Sequence, residues 1–62
     1  MREPTIYVVT AAFRDARADC GRIAAASVLE AIAKMRTRKR DWAAKALGCR
    51  PEQVVWEAEE DY

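Results

Sequence analysis

The sequence predicts a small α+β domain of order β-β-α(-α)-β, with a helical layer on one face of a three-stranded, antiparallel-rich sheet. Three segments predict it: a β-branched and aromatic run at residues 5 to 13, an alanine-rich stretch after Ser27 with helical periodicity, and an alternating segment from Val54. At 62 residues the chain forms one domain, residues 1–62. Because alanine dominates its apolar content, the core is thin, and a partner commonly completes such a core.

The first half of the chain predicts two strands. Residues 5 to 13 follow Pro4 and are rich in Val, Ile, Tyr and Thr, which indicates a strand with a defined start. Residues 14 to 19 are charged and predict a turn. A second, weaker strand is expected around residues 22 to 26, where alanine favours helix instead.

A helix is predicted to begin at Val28. Ser27 and Glu30 fit a capping box, in which the Ser hydroxyl accepts from the backbone N–H three residues on and the carboxylate reaches back to the Ser27 N–H. Apolar side chains then recur at helical spacing and form one stripe that should face the sheet. The stripe contains Val28, Ala31, Ile32, Met35, Trp42, Ala43 and Ala46.

Lys39 falls in the middle of this apolar stripe. Either Lys39 extends past the edge of the core, or the helix breaks within residues 37 to 41 and a second helix begins near Asp41, whose carboxylate caps it. A break is favoured, because twenty unbroken residues span about 30 Å and would overhang a strand of about 23 Å. Gly48 predicts the C-terminal stop, and Pro51 follows at the usual distance.

The last segment alternates as a half-buried strand does. One face carries Val54, Trp56 and Ala58, and the other carries Val55 and the acidic residues Glu57, Glu59 and Asp61. We call Glu57, Glu59 and Asp61 the acidic ladder. It gives specificity toward a basic groove of a partner, or it protects an edge strand against aggregation.

Charge is strongly segregated along the chain. Residues 34 to 50 hold seven of the eleven basic residues and one acid, a net charge of +6, whereas residues 51 to 62 hold five acids and no base. Such a chain presents two charged surfaces, or the charges cancel internally. The basic patch, Arg36, Arg38, Lys39 and Arg40, either contacts a phosphate backbone or is a solvated helix end. The latter is favoured, because the stripe assigns Trp42, the aromatic residue closest to the patch, to the core.

Composition argues against an enzyme. The chain has no histidine, two glycines and two cysteines, so we expect no catalytic site, no cofactor and no metal site. Topology predicts that Cys20 and Cys49 lie at the same end of the domain, where a disulfide is conceivable and free thiols are the default. No segment resembles a membrane span or signal peptide, which predicts a soluble, cytoplasmic protein.

One alternative is a DNA-binding regulator. Spacings around Ala44, Gly48 and Val54 resemble a helix-turn-helix over about twenty residues. Its recognition helix, residues 51 to 60, would bring four glutamates and no cation to the phosphates, whereas recognition helices carry Arg, Lys, Asn or Gln.

A protein-binding module is the favoured function. The first strand is apolar on both faces, yet a single helical layer covers only one of them. Something should cover the other face, because an apolar sheet face left in water invites association. A second copy of the chain or the surface of a larger protein or nucleoprotein complex would do so.

The chain also resembles a group of known proteins. A short α+β chain with Pro4 and Thr5 before a valine-rich strand, an alanine-rich helix and concentrated charge is similar to small phage-encoded inhibitors of the anti-CRISPR type. The resemblance implies a stoichiometric inhibitor in the host cytoplasm, which occupies a basic, nucleic-acid-binding surface or a subunit contact of a defence complex. From the charges alone, the acidic ladder and the basic patch are the expected partner-binding residues.

Overall fold

The computed structural model describes residues 4 to 61 and confirms the predicted α+β architecture. The sheet order is β2-β1-β3 with both pairings antiparallel, so β1 is central and the other two strands are edges. One helix, α1, packs on one face of this sheet. The elements are β1 (Thr5–Phe13), β2 (Ala16–Ala25), α1 (Val28–Leu47), a 3-10 turn (Pro51–Gln53) and β3 (Val55–Glu60).

β2 is longer than the sequence predicts. It begins at Ala16, and a two-residue turn of Arg14 and Asp15 joins it to β1, so the predicted turn over residues 14 to 19 is wrong. Arg14 has a φ of 54°, the left-handed conformation that tight hairpins need to match strand twist. The charged start of β2 is stable because its polar residues alternate with Ala18, which packs against the core.

A β-bulge interrupts the β1–β2 ladder. Val9 pairs with Gly21 and Thr10 with Asp19, which leaves Cys20 as the extra residue. Gly21 has a φ of 97°, a conformation that side chains with a Cβ rarely adopt, and its N–H donates to Asp19 Oδ1 at 2.9 Å. Cys20 therefore lies in the middle of β2 and not at the end of the strand.

The predicted ends of α1 are confirmed. Glu30 N–H donates to Ser27 Oγ at 3.2 Å, and the Glu30 carboxylate accepts at 3.3 Å from the N–H of Ala26, one residue before the expected donor. Gly48 follows the helix with a φ of 70°, the left-handed stop that glycine adopts without strain.

Two helical segments meet at a kink within α1, where Lys39 has a non-helical φ of −123° and ψ of 17°, so the predicted break within residues 37 to 41 is confirmed. The cap of α1 is Ser27, and no second cap forms at Asp41 within residues 4 to 61, so that part of the prediction is wrong. The kink lies where Lys39 interrupts the apolar stripe. Two residues earlier, the hydroxyl of Thr37 donates to the carbonyl of Ala33 at 2.9 Å, a contact that often bends helices.

The kink shifts the buried stripe by one residue. A regular helix that buries Met35 would bring Trp42, seven residues on, to the same face, but the structure buries Ala43 instead. The assignment of Trp42 to the core is therefore wrong, since its side chain is 48% exposed. Val28 and Ala46 are also exposed rather than buried.

The core lies between α1 and the inner face of the sheet. Its two largest fully buried side chains are Val9 and Cys20, and five of its members are alanines, so it is as thin as the composition predicts. Cys20 and Cys49 are free thiols. Within residues 4 to 61, no helix combines the length and the apolar character that crossing a bilayer requires.

Candidate interaction surfaces

The side of the sheet that faces away from α1 is uncovered. Tyr7, Val9 and Ala11 of β1 are buried against the helix, so the alternate residues of this central strand point to the other side. No other element of residues 4 to 61 packs there. We call this surface the open face; its central column contains Ile6, Val8, Thr10 and Ala12.

Charged columns flank the apolar centre of the open face. Strand register sets three complete rows across this side of the sheet. These rows are Arg22–Val8–Glu59, Asp19–Thr10–Glu57 and Arg17–Ala12–Val55. Arg17 was not expected on this face because the predicted second strand began only near residue 22; the alternation of residues 17 to 20 was the available signal. Arg22 lay inside the predicted strand, but its position opposite β3 depends on the pairing with β1.

The alternation of β3 is confirmed, and the acidic ladder lies on the open face. Asp61 is already engaged: its Oδ2 lies 2.8 Å from Arg22 Nε, so this pair spans the central strand from one edge to the other. The Arg22 side chain is 70% exposed, so the pair stabilises the fold by no more than about 1 kcal/mol. Glu57 and Glu59 form no ion pair within residues 4 to 61, so these two carboxylates are available to a partner.

The open face contains a shallow depression of about 140 Å³. This is well below the roughly 300–1,000 Å³ of typical small-molecule sites. Its shape suits contact with side chains of a larger molecule. The lining residues are Val8, Thr10, Arg17, Glu57, Ala58 and Glu59.

The basic patch lies on α1, in the layer on the far side of the sheet from the acidic ladder. Arg36, Arg38 and Arg40 are exposed. Lys39 is half-buried at the kink, and its Nζ lies 4.8 Å from the centre of the Trp42 ring, so it differs from its three neighbours. The two groups of opposite charge therefore form separate surfaces.

The environment of Cys20 makes its thiol unreactive. The Cys20 side chain is 2% exposed, and its S–H donates to the carbonyl of Ala18 at 3.7 Å. Burial raises the pKa of the Cys20 thiol, so the group is neutral and a poor nucleophile at physiological pH. Among residues 4 to 61 no three acidic or cysteine side chains lie close enough together to hold a metal ion.

The helix-turn-helix prediction is wrong. Its recognition helix, residues 51 to 60, is a 3-10 turn followed by β3, which pairs with β1 along its full length. Comparisons of the chain with protein-family models, with curated proteins and with solved structures find no match. Function is therefore inferred from the two charged surfaces themselves.

Proposed function

We propose that the chain is a non-enzymatic protein-binding module that docks through its open face onto a larger protein or nucleoprotein complex, as a phage-type stoichiometric inhibitor does. The observation that carries this proposal is an uncovered sheet face with an apolar centre. Ile6 is 42% exposed at one end of that face and Val55 is 55% exposed at the other. Uncovered apolar surface of this kind, rimmed by charge, is typical of interaction sites.

The size of the open face indicates how a partner would approach. Three strands about 4.8 Å apart and four rows of side chains give an area of roughly 300–400 Å². A stable interface buries about 800 Å² on each partner. A partner therefore needs contacts beyond the face, and the outer edge of β3 offers them, because its backbone N–H and C=O groups have a neighbouring strand on one side only.

Charge gives the docking its specificity. Within residues 4 to 61, Glu57 and Glu59 stand beside Thr10 and Val8 and form no ion pair, so a basic groove on the partner would pair them while the apolar column is buried. Charges at such a rim govern partner choice and association rate more than total affinity. A nucleic-acid-binding surface of a host complex has this basic character.

Photo-crosslinking in host-cell extract tests the proposal. A photoreactive residue replaces Val8 on the open face, and a matched probe replaces Leu29, which is 80% exposed on α1. We expect the Val8 probe to give one discrete adduct with a larger protein and the Leu29 probe to give none. The adduct protein, once identified, is purified and mixed with the chain to measure the stoichiometry.

Charge-reversal variants then serve as competitors for the adduct. Glu57→Lys with Glu59→Lys should lose competition, whereas Asp41→Lys with Glu52→Lys, which changes the net charge equally at exposed positions elsewhere, should compete as the wild type does. Full competition by the first pair would refute docking through the open face. An adduct that consists only of two copies of the chain would identify a homodimer instead of an inhibitor.

A further inference from the structure

An exposed tryptophan lies among the cations of α1. The kink at Lys39 turns Trp42 away from the core and leaves its side chain 48% exposed. Lys45 stands one helical turn after it, and Arg38 lies four residues before it on the other side of the kink; both are exposed. Lys39 Nζ lies 4.8 Å from the centre of the indole ring, so a cation and a stacking surface are in direct contact.

The cations around Trp42 are not neutralised within the described chain. Residues 4 to 61 contain two salt bridges, Arg22–Asp61 and Lys34–Glu30, and neither involves the arginines of the basic patch or Lys45. Asp41 is the one acid between residues 34 and 50. A solvated helix end explains the cations, but it does not explain an exposed indole in their midst.

We propose that the outer surface of α1 around Trp42 binds single-stranded nucleic acid. Cations along a groove or ridge neutralise successive phosphates, while an exposed aromatic ring stacks on a base without reading its identity. The strand must be single, because a base inside a duplex is already stacked on its neighbours and cannot reach the ring. The phosphate contacts come from Arg36, Arg38, Arg40 and Lys45, and Trp42 supplies the stacking surface.

This site is independent of the proposed protein-binding function. It lies on the helical layer, whereas docking uses the open face on the other side of the sheet. The two can therefore fail separately. Overpacking of the sheet face would leave oligonucleotide binding intact, and loss of Trp42 would leave docking intact.

Titration of the full chain with a short oligothymidylate tests the site. In a Trp56→Phe background, Trp42 is the only tryptophan, and stacking should quench its fluorescence. Anisotropy of a labelled oligonucleotide gives the affinity over a range of salt concentrations. Three or four phosphate contacts predict a slope of log K against log salt of roughly −2 to −3 for a single strand.

Two variants separate stacking from charge. Trp42→Ala should weaken oligothymidylate binding by about 5- to 150-fold, the effect of one lost base–aromatic stack. Because Trp42 is exposed, this variant should keep the circular dichroism spectrum of the wild type. Arg38→Glu with Arg40→Glu should reduce both the affinity and the salt slope. Arg14→Glu with Arg50→Glu, an equal charge change at exposed positions outside α1, should leave both unchanged.

Each remaining outcome is decisive. Absence of binding at low salt, or equal binding by Trp42→Ala and wild type, would overturn the proposal, and so would equal affinity for a duplex of the same length. An oligouridylate arm identifies the natural source of the ligand: tighter binding of the ribose strand indicates RNA, and tighter binding of the deoxyribose strand indicates DNA.

Discussion

Replacement of Val9 by alanine is expected to be unusually damaging to this protein. Val9 lies at the centre of the central strand, its side chain is fully buried, and it is one of the two largest side chains of which this is true. Loss of two methyl groups removes about 1.6 kcal/mol of transfer free energy, and the cavity left behind adds roughly 1 kcal/mol. A 62-residue domain has a total stability of about 3–9 kcal/mol. The substitution therefore removes more than a quarter of the stability, and most of it at the lower end of that range.

Val55→Ala is the matched control, because it makes the same chemical change on an edge strand where the side chain is 55% exposed. It should cost about 0.5–1 kcal/mol, mainly through the strand preference of valine. Urea denaturation followed by circular dichroism measures both losses as shifts of the midpoint at constant m. With m near 1 kcal/mol/M, Val9→Ala should lower the midpoint by roughly 2.5 M. Equal shifts for the two variants would refute the assignment of Val9 to the core.

Two further predictions concern the helix cap and the thiols. Ser27→Ala removes the acceptor for Glu30 N–H and should cost about 1 kcal/mol, or a Tm roughly 4–8 °C lower by circular dichroism, whereas Ser27→Asn should retain most of the stability. The hydrogen bond from Lys34 and the N–H of Ala26 lower the Glu30 pKa, so the ionised carboxylate stabilises the fold above its unfolded pKa. That contribution is lost as pH falls through the folded pKa of Glu30. The Tm difference between wild type and Glu30→Gln should therefore disappear in acid, and a difference that persists there would contradict this role of the carboxylate. In thiol titration of the native protein Cys49 should react well before Cys20, which is 2% exposed with a raised pKa; equal rates would show that Cys20 is accessible.

Local signals in the sequence were sufficient for much of the fold. The Ser27–Glu30 pair and Gly48 predict both ends of α1 because capping involves residues only a few positions apart. The alternation from Val54 predicts which residues of β3 face α1, since a strand exposes successive side chains on opposite faces. These features depend on neighbours along the chain, which is the information that one sequence contains.

Non-local pairing explains what the sequence did not predict. Residues 16 to 19 read as a charged turn, but backbone pairing with β1 makes them a strand. The register shift at Cys20 likewise depends on β1, and no property of Cys20 alone predicts it. The exposure of Trp42 depends on a backbone irregularity at Lys39, which breaks the assumption of constant helical phase that any periodicity argument makes.

The same contrast between local pattern and non-local contact applies to the two candidate interaction surfaces. The acidic ladder is predictable from the sequence, because alternation along a strand is a local pattern. Which of its members forms an ion pair is not predictable, because the Asp61 pair depends on where the fold places Arg22. The basic patch was predicted from composition. The aromatic ring beside it was not, because the predicted stripe assigned Trp42 to the core.

The order of charges along the chain and the fold together determine a two-sided molecule. The basic segment forms the helical layer, and the alternation of β3 directs Glu57 and Glu59 away from that layer, so the two groups cannot neutralise each other. A net charge of +1 therefore conceals two surfaces of opposite sign. A nucleoprotein complex offers partners for both, a basic protein groove for the sheet and an exposed strand for the helix. If one such complex engages both, the Glu57 and Glu59 reversals and Trp42→Ala should each weaken its capture. Only Trp42→Ala should weaken binding of the isolated oligonucleotide.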